Sequence, residues 1–406
     1  MNPALSNFLN LSRWVAALLV VIGHVRHLLL VDYKDVVDKT ILIKGFYFIT
    51  GFGHEAVVMF FIISGYLVGA LTFERWKSSG PNMLSFFTAR ISRIYTVLVP
   101  ALLIGAALDW IGTNWVNSSE LYTDSARYNT SSLSTKIDDA LNMSTFFGNL
   151  FNLQGILTGP FGSNGPLWSL SYEWWYYCIF ALAGAAITGT GTKKIAYAIA
   201  ALSLTAVLPK EIVLLGSLWI LGFFAHAWIK FEKWIPHPLV GMSLFIGALV
   251  LSRLSHNVDN LENHESLTAS LSRDIFVGVA YLLAVVSASK LSRTPRHVKL
   301  HAALADFSYS TYLCHFPMMV FLVALLHQLS GLNFQQQPHL PGLVYFAGLT
   351  TTLYLYCYLN YLSFERHTNS IRANLASLFK RDGDAQEPRL KGTAHAHLGK
   401  TAANKR

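Results

Sequence analysis

Ten apolar runs divide the chain, at 9–30, 52–73, 93–109, 166–188, 195–208, 211–229, 238–252, 274–289, 309–329 and 342–363. A helix rises about 1.5 Å per residue, so about 20 apolar residues cross a hydrocarbon layer about 30 Å thick. Backbone in oil must satisfy its own hydrogen bonds, and runs of this length without strict alternation predict helices. The expectation is an all-α, polytopic transmembrane bundle of about ten spans, with the fifth and seventh runs the shortest. Composition agrees, since 53% of the residues are hydrophobic and only 13% are charged, against about 25% charged in a soluble domain.

The positive charges set an orientation. If the N-terminus is cytoplasmic, ten spans return the C-terminus to the same side. Most of the Lys and Arg then fall inside, among them Arg75, Lys77, Arg90, Arg93, Lys193, Lys194, Lys290, Arg296 and Lys299. That is the asymmetry of positive-inside proteins, so the formal charge of +9 calls for no nucleic acid. The first run carries ionisable residues and no small-residue cleavage site, and is read as a retained span rather than a signal peptide. A membrane domain is expected over 1–366, with a long extracytoplasmic loop at 110–165. The segment 367–406 reads as a basic cytoplasmic tail, disordered from about 380, with no soluble enzyme domain at either end. Cys178, Cys314 and Cys357 lie in apolar runs without metal-ligand spacing and read as buried thiols. His256, Asp259, Glu262, His264 and Glu265 crowd a second outer loop, which reads as a solvated acidic loop before a metal site, and no metal is expected. Asn117, Asn129 and Asn142 match the N-glycosylation pattern, which matters only in a glycosylating pathway.

Ionisable groups inside spans are costly and therefore mark candidate sites. In RWVAALLVVIGH, Arg13 and His24 are eleven residues apart, so they share a helix face roughly 16 Å apart along the axis. A snorkelling arginine and a packed core histidine would also account for them. Arg90 and Arg93 are neighbours on one helix face, suited to gripping a phosphate, though a simple positive anchor has the same spacing. Glu173 sits in an aromatic run and must find a cation, a hydrogen-bond donor or a proton. His315 lies about two turns into the ninth span, before a helix-weakening Pro317. Counting along the spans places Arg13, Arg90, Arg93 and His315 towards the cytoplasm, and His24, Glu173 and Glu55 towards the outside. Ser64–Gly65 predicts close helix packing.

Five of these stretches occur in a familiar order: Arg13-x10-His24, FFIISGYL (60–67), R-x-x-R-I-Y (90–95), LWSLSYEWWYY (167–177) and SYSTYLCHFP (308–317). Together they resemble the acyltransferase-3 family of integral membrane acyltransferases, over about residues 5–366. That resemblance implies transfer of an acyl group, usually acetyl, from cytoplasmic acyl-CoA (acetyl-CoA) to a sugar hydroxyl. It implies catalytic roles for His24, Glu173, Arg13 and His315, and donor binding by Arg90, Arg93 and Arg13. Two positions depart from the family pattern. Asn10 stands where an aspartate is frequent, and Val58–Met59 stand where an acidic residue is frequent, with Glu55 one turn earlier.

The resulting expectation is an O-acyltransferase of a bacterial cytoplasmic (inner) membrane. Its partners would be a polysaccharide, oligosaccharide or lipid-linked sugar acceptor, membrane lipid, and an envelope-assembly protein if the acyl group is handed on. A transporter of anionic or sugar-linked molecules is the main rival, although the two halves show no clear internal repeat. A non-catalytic envelope scaffold is a third reading.

Overall fold

The first apolar run becomes α1 (Pro3–Leu29) in the computed structural model, which describes residues 2–128, 133, 136–232, 234–259, 267–291 and 296–385. Asn129, the loop cluster from His256 to Glu265 and the tail beyond 385 lie outside the described side chains. Pro3 supplies a helical φ and the Asn2 side chain accepts from the Ala4 amide, so α1 starts with a cap. Then come α2 (Ile41–Ile49), α3 (Gly53–Ser64), a π-helical stretch (Gly65–Ala70), α4 (Leu71–Ser79) and α5 (Met83–Trp115). The short α6 (Ile137–Ala140) and α7 (Met143–Leu150) lie in the long loop. Helices α8 (Trp168–Thr188), α9 (Lys193–Val207), α10 (Lys210–Phe231), α11 (Pro238–Asp259) and α12 (Leu267–Ala288) follow. The chain continues through α13 (Val298–Asp306), α14 (Ser308–Ser330), α15 (Leu340–Ser363) and α16 (Thr368–Ala385). No β-strand occurs among the described residues.

This is an all-helical, polytopic membrane protein. By length and apolar character, eight helical stretches among the described residues can cross a membrane. The two further spans read from the sequence are present as α8 and α9. At 15 residues α9 is about 22 Å long, short of the hydrocarbon thickness. The first half of α8 is rich in Ser, Tyr, Trp and Glu173, which lowers its apolar character. Helix α16 reaches Ala385 and packs on α5, so the tail opens as part of the bundle.

Helix α1 is the central post, packed against α3, α12, α13, α14 and α15. Its first half joins one apolar core with α3, α8, α10 and α12, and its second half joins another with α14 and α15. The close packing expected at Ser64–Gly65 is found between α3 and α10. A Cβ on Gly65 would lie 1.9 Å from the Trp219 carbonyl oxygen, and one on Gly222 would lie 2.0 Å from that of Ile62. Only glycine lets these backbones meet.

Pro317 has no N–H for the Leu313 carbonyl four residues earlier. Asn164 donates its side-chain amide to that oxygen at 3.0 Å. The donor comes from the long loop, whose last residues fold into the bundle: Ser163 is 1% exposed and Asn164 2%. Helix α8 therefore begins inside the bundle, not at its surface.

Candidate active site

A cavity of about 580 Å³ opens between α1, α3, α5, α8, α14 and α16. Arg13, Arg90, Arg93, Arg366 and Arg372 line it with Glu173, Asp306 and Glu365, so arginines outnumber carboxylates. Arg90 and Arg93 share the early turns of α5, as their spacing predicts. Arg90 lies 5.7 Å from the centre of the Tyr177 ring, and its Nε is buried without an acceptor. Arg93 stacks on Tyr309 at 4.7 Å and pairs with Glu365 at 2.7 Å. Glu365 also accepts from the Ser310 amide and hydroxyl, which fixes the root of α16 to the start of α14. Arg13 reaches the Ser308 hydroxyl at 3.4 Å.

His24 and His315 lie beyond the cavity wall, joined at 2.9 Å between His24 Nδ1 and His315 Nε2, with nearly parallel rings. Phe316 closes on His24 edge-on at 5.0 Å between ring centres. Tyr312, which lines the cavity, has its ring 6.5 Å from His315, so one aromatic side chain separates the arginines from the imidazoles. Phe60, which also lines the cavity, packs edge-on against Tyr312.

The backbone selects the tautomers of this pair. His315 Nδ1 faces the carbonyl oxygens of Thr311 and Tyr312 at 2.8 and 3.0 Å. Carbonyls only accept, so His315 carries its proton on Nδ1 and its Nε2 is an acceptor. His24 must then donate from Nδ1, which leaves its Nε2 with a free lone pair. His24 keeps partial exposure, whereas His315 is fully buried.

Glu173 is placed in the cavity, where Tyr177 donates to it, and neither histidine is among its hydrogen-bond partners. Tyr177 gives its only hydroxyl proton to Glu173, so Ser64 donates to Tyr177 while accepting from the indole of Trp219. A one-way chain of donors thus ends on the Glu173 carboxylate. The depths counted along the spans are exchanged here, since His315 pairs with the deep imidazole and Glu173 sits among the arginines. The cause is common to both. Helix α8 begins within the bundle, and α14 begins at Ser308, already at the level of Arg13.

Glu55 is buried elsewhere and accepts from Ser252 at 2.8 Å. The three cysteines are free, with Cys314 and Cys357 buried. Sequence reading passed over Tyr309, Tyr312, Asp306, Glu365, Arg366 and Arg372. Tyr309 and Tyr312 stood in a motif read for its histidine. The last three lie past the final apolar run, where no periodicity signals that the chain returns to the cavity.

A family model described as an acyltransferase domain matches residues 6–361. The chain belongs to the acyltransferase-3 family. It is a multi-span membrane acyltransferase, and an acyl donor and an acceptor substrate follow from that membership. It is 26% identical over 332 residues to a protein of Shigella phage Sf6 named O-acetyl transferase, an alignment covering 79% of this chain and 87% of that protein. No solved structure matches the chain.

Proposed function

We propose that this acyltransferase moves an acetyl group from cytoplasmic acetyl-CoA to a hydroxyl of a cell-envelope or exported carbohydrate, in a bacterial cytoplasmic membrane with both termini inside. The observation that carries the reading is the lone pair left on His24 Nε2, one aromatic side chain away from an arginine-lined cavity. The name of the phage relative supports acetyl as the group and oxygen as its acceptor. Arg90, Arg93 and Arg13 would hold the donor's phosphates, whose planar forks match phosphate oxygens. Glu173 would balance the arginines and align them, rather than orient His24.

In the proposed step His24 Nε2 takes the proton of the acceptor hydroxyl, and the alkoxide oxygen bonds to the thioester carbonyl carbon. Collapse of the tetrahedral species breaks the carbon–sulfur bond, and the leaving thiolate recovers the proton from His24. The same lone pair also suits a brief acyl-imidazole, from which the hydroxyl would then take the acyl group. In either route His315 is a positioning residue, fixing which nitrogen of His24 is basic.

The test uses purified protein in vesicles with acetyl-labelled acetyl-CoA on the cytoplasmic face and envelope extract as acceptor. Loss of thioester is expected with wild type, reduced about 10²- to 10⁴-fold by His24→Ala. Unchanged transfer by His24→Ala would remove the catalytic assignment. Label retained on wild-type protein before acceptor is added would select the acyl-imidazole route. No turnover by wild type, even with envelope extract present, would remove acetyl-CoA or the envelope carbohydrate from the proposal.

A further inference from the structure

We infer that Tyr312 selects the acyl group, admitting a short, uncharged one to the histidine pair. This role rests on the proposed function, in which a thioester held among the arginines must bring its carbonyl carbon to His24. Tyr312 and Leu313 line the arginine-rich cavity, whereas His24 and His315 lie outside its lining. The Tyr312 ring is 6.5 Å from that of His315, and His315 is joined to His24 at 2.9 Å. An acyl group leaving the arginines for the imidazoles meets this ring on the way.

The ring is anchored at several points. A carbonyl only accepts, so the buried Tyr312 hydroxyl donates to that of Pro166 at 3.2 Å and accepts from Ser169. Phe60 braces the ring edge-on, at 5.7 Å between centres. The backbone is held too, since Asn164 donates to the carbonyl of the next residue, Leu313. A ring fixed in this way yields to a longer chain only by breaking these contacts, so it discriminates by size. Charge is discriminated as well. A dicarboxylic acyl group carried past the ring would exchange the arginines for Leu313, Phe316 and two neutral imidazoles. The Nδ1–H groups of those imidazoles are already taken, one by backbone carbonyls and one by the partner ring. Its second carboxylate would be buried unpaired, which is costly, whereas an acetyl group brings only a methyl.

The experiment supplies the full chain in vesicles, with envelope extract as acceptor, with acetyl-, propionyl-, butyryl- or succinyl-CoA. It reads kcat/KM from release of the coenzyme A thiol. Butyryl and succinyl groups have equal carbon counts and differ in the terminal carboxylate, so the pair separates size from charge. Wild type is expected to rank acetyl above propionyl above butyryl, with succinyl last. Tyr312→Leu and Tyr312→Ala should raise the butyryl-to-acetyl ratio about 10- to 100-fold, Ala the more, as when an apolar pocket gains room for a methylene or two. The succinyl-to-acetyl ratio should rise less, because the space gained brings no cation. Phe60→Leu loosens the ring, leaves its hydrogen bonds in place, and should shift the butyryl ratio the same way even if the Tyr312 variants fail to fold. Ratios unchanged in all three variants, or all four donors slowed by one common factor, would overturn the inference. So would a wild type that prefers butyryl or succinyl. Either result alongside wild-type transfer from acetyl-CoA leaves the proposed function standing. Thiol release from none of the donors by wild type would end the proposed function and this role together.

Discussion

At His315 the backbone determines the chemistry of a neighbouring side chain. Its Nδ1 is held by two carbonyl oxygens of its own helix, and that choice passes through a 2.9 Å contact to His24. The proposed role makes a split prediction. His315→Leu removes the acceptor for His24 Nδ1–H and should lower kcat about 10²-fold, with little change in KM for acetyl-CoA. His315→Gln can present an amide oxygen near the same place and should recover part of the loss. Steady-state kinetics of both variants decide it, because a merely structural role would give Gln and Leu the same kcat or move KM as strongly. The two histidines were each legible as costly groups in a span. Their pairing was not, because residues 291 apart meet only through the tilt and starting depth of two helices.

The elements differ in how far their sequence declares them. Apolar length announces α1, α5, α10, α12, α14 and α15, since a membrane enforces it. The glycines at 65 and 222 could be read as small, but not as partners. Hardest to read is α16 with the short turn before it, Glu365–His367, which lie beyond the family match at 361 and still bring Arg372 and Arg366 to the cavity. The Arg93–Glu365 pair and the Ser310 bonds tie its root in place, so these two arginines stand at the mouth with a fixed base. Under the proposed function they are placed for the outermost donor phosphate, the 3′-phosphate of coenzyme A. Arg372→Ala should then raise KM for acetyl-CoA about ten-fold and leave KM for acetyl-dephospho-CoA nearly unchanged. Equal effects on both donors would mean that α16 supports the cavity without reading that phosphate.

For the whole molecule, the open matter is orientation, and its parity is robust. Helices α8 and α9 lie side by side, so counting both as crossings or neither leaves the number of spans even. Both ends of the bundle then lie on one side under either count. Under the proposed function that side is the cytoplasm, as the charge pattern predicts, and it holds Arg90, Arg93 and the arginine-lined cavity. The loop carrying α6 and α7 falls on the other side, where Asn142 caps α7 through its side chain and is itself exposed. The native thiols offer a quiet background for labelling, since Cys314 and Cys357 are buried and Cys178 is only partly exposed. Intact cells carrying Asp139→Cys should therefore react with a membrane-impermeant maleimide. Cells carrying Lys193→Cys, at the start of α9, should react only after permeabilisation. The reverse pattern would put the arginine-lined cavity outside, away from any cytoplasmic thioester, and would defeat the proposed donor route while leaving the family membership untouched. Labelling of both positions in intact cells would instead mean that α8 does not carry the chain across.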